Sequence, residues 1–368
     1  MKKLVWSLVI LVVVGVFGGR AWYLHKQAEQ NKDAIKIGVV VPLSGFDENL
    51  TNRVVTTLKV ATEELTADKP YKIQYLFEDG KYTVKDSISA FNKLKASNPS
   101  AYIVFGDLPA FGLRPLINET KVPTVALALG DSSLPAQSPY MFRVCTSTTD
   151  LAKRIADYVI HDMKQTEMAI FKVKNNYGDD FSNEFQKYYK ALGGKILIEE
   201  SYNIGDMDVR AQALKILDKN PKLIGMFGFG PGYNAAFNQL AEQGYKGDFI
   251  TDHTVTDEAV WKNVHNQAEG TYFAIGDYRV NEMNPRYLEK YRAKIGADPD
   301  VFAVLSYVTV DVLMKALENK TDLNQGFYDI QNFKTVMGTI GYDKDGEPHP
   351  PVIIKQMQKN GVSKLIKE

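Results

Sequence analysis

Polar and aromatic side chains stand directly after several apolar runs of this chain. Asp131 and Ser132 come just after the run TVALAL, Tyr177 comes after MAIFKV, and Asp252 and His253 lie where the run DFITD ends. Carboxylates, hydroxyls and an imidazole can hydrogen-bond a small polar molecule, and charge-assisted hydrogen bonds are roughly twice as strong as neutral ones. If Asp131 and Asp252 face the same ligand, the site favours an amine, amide or hydroxyl donor over a bare anion.

Each of these residues also has an ordinary structural interpretation. Asp131 and Ser132 are favoured N-cap residues and could simply begin a helix. Tyr177 could lie in a plain turn, and Asp252 could form a surface ion pair. A histidine such as His253 is more often a hydrogen-bonded loop residue than a ligand group. The residue types therefore indicate a possible binding site, and the structural interpretation of each residue stays open.

The common sequence patterns of catalytic sites are absent from the chain. It contains neither a G-x-S-x-G nucleophile motif nor a G-x-x-x-x-G-K-[ST] phosphate loop. The glycine-rich stretch GFGPGY, residues 228–233, lacks the G-x-G-x-x-G spacing of dinucleotide sites. The histidines, at positions 25, 161, 253, 265 and 349, show no paired metal-ligand spacing. We therefore expect a protein that is not an enzyme and that uses no cofactor and no metal ion.

Composition places the chain among ordinary globular proteins. With 368 residues it is too long for one hydrophobic core, because single cores stop growing at roughly 250–300 residues, so two domains are expected. Its 44 basic and 44 acidic residues balance, which gives no basic footprint for nucleic acid. The single cysteine, Cys145, excludes an intramolecular disulfide and a multi-cysteine zinc site.

The N-terminus has the features of an export signal or a membrane anchor. Two lysines precede an uncharged apolar run over residues 4–19, which is typical of an export signal. Continued past Arg20 to residue 24, the segment reaches the ~20 residues that span a bilayer. Cleavage after Ala21 and retention as an uncleaved anchor both remain open, with residues 25–33 as a polar linker. We expect a periplasmic or cell-surface protein, anchored by this helix to the cytoplasmic membrane.

From residue 34 onward, strand and helix patterns alternate. Apolar, β-branched runs such as IKIGVVV predict buried strands, and apolar residues three or four apart, as in 50–67, predict helices. The alternation continues to a strand at 270–276. Alternating units of this length predict parallel sheets with helices on both faces, and so many strands predict two doubly wound sheets.

The loops after these predicted strands supply the candidate binding residues. In open α/β sheets, ligands bind beyond the carboxyl ends of the strands, and cavities form preferentially between domains. The candidate ligand-binding residues are Ser44, Phe46, Ala110, Phe111, Asp131, Ser132, Tyr177, Gly230, Asp252 and His253. Ser44 could equally serve only to turn the chain, and Phe46 and Phe111 could pack inside a domain core.

The succession of strand ends resembles that of type I periplasmic binding proteins. KIGVVVPLSG, LFEDGKY, IVFGDLPA, KVPTVALA and FRVCTSTTD follow one another in that order, and residues 177–230 resemble the second lobe of branched-chain amino-acid-binding proteins. The resemblance runs from Ile35 to the C-terminus. It implies two α/β lobes joined by three crossovers around a ligand cleft. The implied lobe I is 35–144 with 277–340, and the implied lobe II is 145–276 with 341–368.

The resemblance also implies a function, a ligand and a partner. It implies an extracytoplasmic solute-binding protein that captures a small polar solute by hinge closure and delivers it to the ABC permease subunits of an importer. Amino-acid binders of this family hold the ligand carboxylate with two hydroxyls, whose positions match Ala110 and Gly130 here, and the ammonium with an acid matching Asp252–His253. Because the two hydroxyls are missing here, it is doubtful that the ligand is an α-amino acid. A ligand-sensing or regulatory module that acts on a membrane partner is the alternative.

Overall fold

Strands and helices alternate along the computed structural model, which describes residues 34–45, 47–264, 267–319 and 321–368. The strands are β1 (Ile35–Val41), β2 (Ile73–Asp79), β3 (Ala101–Phe105), β4 (Thr124–Leu127), β5 (Met141–Arg143), β6 (Glu167–Val173), β7 (Lys195–Tyr202), β8 (Leu223–Phe227), β9 (Asp248–Asp252), β10 (Tyr272–Gly276), β11 (Phe333–Thr335), β12 (Gly338–Ile340), β13 (Val352–Met357) and β14 (Ser363–Lys367). The helices are α1 (Glu48–Leu65), α2 (Val84–Lys95), α3 (Asp107–Thr120), α4 (Thr148–His161), α5 (Asn176–Ala191), α6 (Arg210–Leu217), α7 (Pro231–Glu242), α8 (Glu258–Asn263), α9 (Pro285–Ile295), α10 (Val301–Ala316) and α11 (Leu323–Tyr328).

The first sheet is parallel and has the strand order β2-β1-β3-β4-β5. Its side chains alternate between two apolar clusters because successive residues of a strand point to opposite faces. Val39 of β1 packs with Leu58 of α1 and Val308 of α10 on one face, whereas Val40 packs with Phe91 of α2 on the other. Helices therefore cover both faces, and we call this sheet with its helices the first body.

The second sheet has the order β14-β13-β10-β9-β8-β6-β7 and forms the core of the second body. The strands β6 to β10 are parallel, as the alternating pattern predicted. The expectation of a wholly parallel sheet is wrong at one edge, where β13 runs antiparallel to both β10 and β14. A connection as short as 358–362 can join β13 and β14 only as antiparallel neighbours.

Within the described residues, the chain passes between the two bodies three times. It leaves the first sheet after β5, and it leaves the second sheet after β10. The segment between β10 and β13 then packs on the first body, where Tyr287, Phe327 and Ile340 join the cluster that contains β1. The chain finally returns to the second sheet through β13. Each body is therefore built from two separate stretches of sequence.

Helix α3 forms where no helix was predicted, and helix α5 begins earlier than predicted. Helix α3 starts at Asp107, where we expected a loop, because Pro109 is tolerated in a first turn and the prolines and glycine of this segment hide its apolar period. Helix α5 starts at Asn176, where we expected a turn as far as residue 180, and the Asn175 side chain caps it by accepting the Gly178 N–H at 2.9 Å. Both helix starts lie at the carboxyl ends of strands.

The predicted signal or anchor falls on residues 1–33, which lie outside the described residues. The candidate residue Phe46 lies outside them as well. Among the described residues, none of the helices combines the length and the apolar character needed to cross a membrane. The N-terminal segment therefore stays a prediction.

Candidate ligand site between the two sheets

A cavity of about 230 Å³ lies where the carboxyl ends of the two sheets meet. It continues into a hollow of about 590 Å³ on the side of Phe111 and into another of about 910 Å³ on the side of Asn234. Phe229 borders all of these spaces, so they form one cleft. The wall of the central cavity consists of Leu50, Tyr82, Phe105, Gly106, Asp107, Ala128, Gly130, Cys145, Thr146, Thr148, Leu151, Tyr177, Phe229, His253, Thr254, Gly276, Tyr278, Val301, Phe302 and Leu305.

Aromatic rings from both bodies dominate this wall. On the first body, the ring centroid of Phe105 lies 6.4 Å from that of Tyr82 and 6.0 Å from that of Phe302. On the second body, the ring centroids of Tyr177 and Phe229 are 5.6 Å apart. Edge-to-face and tilted ring pairs of this kind contribute about 0.5–1.5 kcal/mol beyond the area that they bury. The rings hold one another in place, and the cavity suits a molecule with an apolar part.

One carboxylate, that of Asp107, stands on the aromatic wall at the start of α3. Its Oδ1 accepts the backbone N–H groups of Gly130 and Asp131 at 2.7 and 3.0 Å. Burial raises the pKa of Asp107, and these two hydrogen bonds oppose the rise. Among the described residues that line the central cavity, there is no other acid and no lysine or arginine. The electrostatics of the cavity are therefore set mainly by Asp107.

The position of Asp107 depends on the glycine before it. Gly106 has a φ of +86°, a conformation that side chains with a Cβ rarely adopt. A Cβ at Gly106 would also lie 2.4 Å from the Tyr82 ring. The backbone N–H of Asp107 donates to the Tyr82 hydroxyl, and burial raises the pKa of this tyrosine to about 12. The glycine thus lets the ring pack directly on the first turn of α3.

Three hydroxyl groups of the wall donate to partners inside the protein, whereas the Oγ1 of Thr146 is buried without a hydrogen-bond partner among the described residues. The Thr148 Oγ1 donates to the carbonyl of Gly130 at 2.6 Å, and the Thr254 Oγ1 donates to a backbone carbonyl at 2.9 Å. The Tyr177 hydroxyl donates to the carboxylate of Asp252. Burial and the neighbouring carboxylate keep the pKa of Tyr177 well above its ordinary value, so the hydroxyl keeps its proton.

Asp252 lies behind the wall rather than on it. Its side chain is 0% exposed, and its Oδ1 accepts the Thr254 N–H at 2.7 Å while Oδ2 accepts the Tyr177 hydroxyl. The carboxylate therefore orients two residues of the wall. Of the other predicted residues, Tyr177 and His253 line the central cavity.

The remaining predicted residues lie at the edges of the cleft or away from it. Phe111 and Asp131 border the hollow on one side, and Gly230 borders the hollow on the other side. Ala110 is fully buried on the inner side of α3, in the core of the first body, because a helix replaces the expected loop. The Oγ of Ser44 donates to the carboxylate of Asp79, at the end of β2, at 2.5 Å.

The sequence reasoning did not place several wall residues in its candidate set. Asp107 and Phe229 stand directly at strand ends, so the rule that selected the other candidates could have selected them. Tyr278 lies after β10 in the connection back to the first body, and Phe302 lies in the first turn of α10. No strand-end signal marks Phe302, because its helix comes from a distant stretch of the chain.

Side chains also join the two bodies at the rim and at the base of the cleft. At the rim, the N–H and Oγ of Ser132, after β4, both donate to the carboxylate of Asp180 in α5, the N–H at 3.1 Å. At the base, the buried Arg143 at the end of β5 contacts Glu347, on the segment leading to β13, at 2.8 and 3.0 Å. The contact between Arg143 and Glu347 therefore joins the connection that follows β5 to the connection that leads into β13.

Two α/β bodies with an enclosed cleft at their facing strand ends define a two-lobed binding protein. The sequence agrees with this class. The family model described as "Periplasmic binding protein" matches residues 34–362. The chain therefore belongs to the periplasmic-binding-protein family, and its two bodies correspond to the lobes of that family.

Known proteins similar to this chain match most of its length. The Leu/Ile/Val-binding protein homolog 1 of Brucella suis biovar 1 is 23% identical over 372 residues, which cover 98% of this chain and 97% of the relative. A leucine-binding protein from Thermotoga maritima superimposes with a TM-score of 0.78 at 20% identity, over 90% of this chain and 98% of that one. A solute-binding protein from R. palustris in complex with benzoate superimposes with a TM-score of 0.74 at 16% identity, over 91% and 96% of the two chains. At these identities, the structural likeness concerns the fold.

Proposed function

We propose that this chain is an extracytoplasmic solute-binding protein that captures one small solute in the central cavity. The observation that carries the proposal is the enclosure of an aromatic cavity of about 230 Å³ by residues of both lobes. Pockets for drug-sized ligands start at roughly 300 Å³, so the central cavity suits a small molecule, whose ends can extend into the adjoining hollows of the cleft. The relatives named for leucine and benzoate also bind small solutes with an apolar part.

Function then follows from movement of the lobes. We divide the chain into lobe I, 35–144 with 277–340, and lobe II, 145–276 with 341–368, with the connections between them as hinges. A solute that touches both lobes binds the closed form more tightly than the open form and therefore shifts the population toward it. The apolar cluster that joins β1 to the helices after β10 supports this division.

The closed, loaded protein is proposed to deliver its solute to the membrane subunits of an ABC importer. Residues 1–33 are proposed to direct the domain out of the cytoplasm and, if uncleaved, to anchor it to the membrane. N-terminal sequencing of the protein recovered from membranes tests this placement. An intact N-terminus in the membrane fraction supports the anchor, whereas a mature protein that begins after Ala21 supports cleavage. Recovery of the protein in the cytoplasm would contradict both.

A thermal-shift screen of small solutes on the chain from residue 34 onward tests the binding function. Because a ligand stabilises the state that it binds, a solute at 100 times its Kd adds about 2.7 kcal/mol to the free energy of unfolding. We expect Phe229→Ala, which removes a ring bordering every part of the cleft, to weaken binding about tenfold or more. Phe77→Ala, a half-buried phenylalanine of β2 outside the cleft, is the control. Equal affinities for the two variants would contradict the proposed site.

A further inference from the structure

We infer that the solute carries a cationic nitrogen, either a protonated amine or a quaternary ammonium, which binds Asp107 within the aromatic wall. This inference rests on the proposed function and specifies its ligand. The observations are the charge on the wall, the hydrogen-bonding capacity of that charge, and the rings beside it. Each of them favours a cation over an anion of the same size.

The nearest buried cation contacts another acid and not Asp107. Arg143 is 0% exposed, and its guanidinium makes two contacts, at 2.8 and 3.0 Å, to the carboxylate of Glu347. Such paired contacts are the favoured geometry of an arginine with a carboxylate. The guanidinium of Arg143 is thus engaged with Glu347, and no ion pair among the described residues reaches the charge of Asp107. A cation in the cavity would balance that charge.

The hydrogen bonds around Asp107 leave one of its carboxylate oxygens open to a donor. Both N–H groups that reach Asp107, from Gly130 and Asp131, go to Oδ1, and no donor among the described residues reaches Oδ2. The hydroxyls of Thr148 and Tyr177 donate elsewhere in the protein. A carboxylate placed here would compete with these bonds and face a like charge. An ammonium group would supply the missing donor.

The rings beside Asp107 suit the same kind of group. Tyr82, Tyr177 and Phe229 border both the central cavity and the hollow on the side of Phe111, and Asp107 borders both spaces as well. A cation within about 6 Å of a ring centroid is attracted by the negative face of the ring, most strongly where water is excluded. The carboxylate and the rings therefore surround one space and would act on one cationic group together.

Three probes with the same branched hydrocarbon separate the alternatives. Isoamylamine carries only the ammonium group, isocaproate carries only the carboxylate, and leucine carries both. Calorimetric titration of the protein is expected to give the tightest binding with isoamylamine and the weakest with isocaproate. Leucine should bind more weakly than isoamylamine, because its carboxylate would lie close to the like charge of Asp107. Tetramethylammonium tests whether the rings alone hold a cation.

Two matched variants connect the preference to Asp107. Asp107→Asn keeps an oxygen for the N–H groups of Gly130 and Asp131 while it removes the charge, and it should weaken isoamylamine binding about tenfold or more. Asp298→Asn removes the same charge from an exposed ion pair with Arg292 and should leave the affinity unchanged. The melting temperature of Asp107→Asn without ligand shows whether the variant still folds. If it does not fold, the relative affinities of the wild type for isoamylamine, leucine and isocaproate test the inference.

Several results would overturn the inference. Binding of isocaproate as tight as that of isoamylamine is one, and equal affinity of isoamylamine for the wild type and Asp107→Asn is another. If neither amine binds while another solute of the screen does, the cationic ligand is refuted and the binding function stands. If no solute binds in the cleft, the proposed function is refuted as well.

Discussion

The contact between Ser132 and Asp180 makes a sharp prediction about closure of the cleft. Asp180→Ala removes the acceptor of two hydrogen bonds that cross from lobe I to lobe II. The neighbouring Asp179 offers a matched control, because its carboxylate pairs with Lys172 inside lobe II at 2.8 Å. Both substitutions remove one negative charge from the first turns of α5, yet only one of them breaks a contact between the lobes.

The size of the effect follows from the geometry. A hydrogen bond to a charged group contributes about 1.5–3 kcal/mol, and the half-buried position of Asp180 reduces the contribution of its contact with Ser132 to about 1–2 kcal/mol. Because 1.4 kcal/mol corresponds to a factor of ten, the closed form should lose about tenfold in population relative to the open form. If the free protein is mostly open, its affinity for a solute that needs both lobes falls by the same factor.

Two measurements check this prediction. At one sub-saturating solute concentration, small-angle X-ray scattering should show a larger radius of gyration for Asp180→Ala than for Asp179→Ala, because less of the variant is closed. Calorimetry should show weaker solute binding for Asp180→Ala alone. The double variant with Ser132→Ala should lose less than the sum of the single effects, since the two residues share one contact. Identical behaviour of the Asp179 and Asp180 variants would refute a role for this contact in closure.

Two further predictions concern stability. Tyr177→Phe should lower the free energy of unfolding in urea by about 1.5–3 kcal/mol because it leaves Oδ2 of the buried Asp252 without its donor. Tyr202→Phe, which removes a buried hydroxyl without a partner among the described residues, should cost far less, and equal costs would contradict this explanation. Burial lowers the pKa of His349, but its contact with Asp343 at 3.0 Å outweighs this and raises the pKa above 6.5. The protonated His349 therefore stabilises the folded protein fully below pH 6.5, and this stabilisation is lost as pH rises through the folded-state pKa. His349→Gln should lower the free energy of unfolding by up to about 1 kcal/mol below pH 6.5 and by little at higher pH. A loss that is independent of pH would refute the charge effect.

The sequence pattern was sufficient for most elements of the fold. Continuous apolar runs located β1, β6 and β8 because buried parallel strands are apolar along most of their length. The pattern failed for α3, where Pro109 and Pro115 interrupt the helical period although the helix forms. It also gave no sign of the antiparallel edge, because the direction of β13 depends on how the chain returns from the other lobe.

The candidate site was predictable in position and less so in chemistry. The rule that ligands bind at strand ends found Tyr177 and His253 on the central wall. Residue type alone suggested that Asp252 faces the ligand, but its burial behind Tyr177 depends on tertiary packing. The aromatic character of the wall also depends on Phe302, which reaches the cleft from a distant helix. A sequence pattern reports local spacing and cannot show which distant segments meet.

A crystal structure of the protein bound to the tightest solute of the screen tests the central claim most directly. The solute should lie in the central cavity, with its nitrogen at the Asp107 carboxylate and its apolar part between the rings of Phe229 and Phe302. Contacts with residues of both lobes are part of that prediction. A solute bound to one lobe outside the cleft, or a cavity that stays empty at saturating solute, would contradict the account.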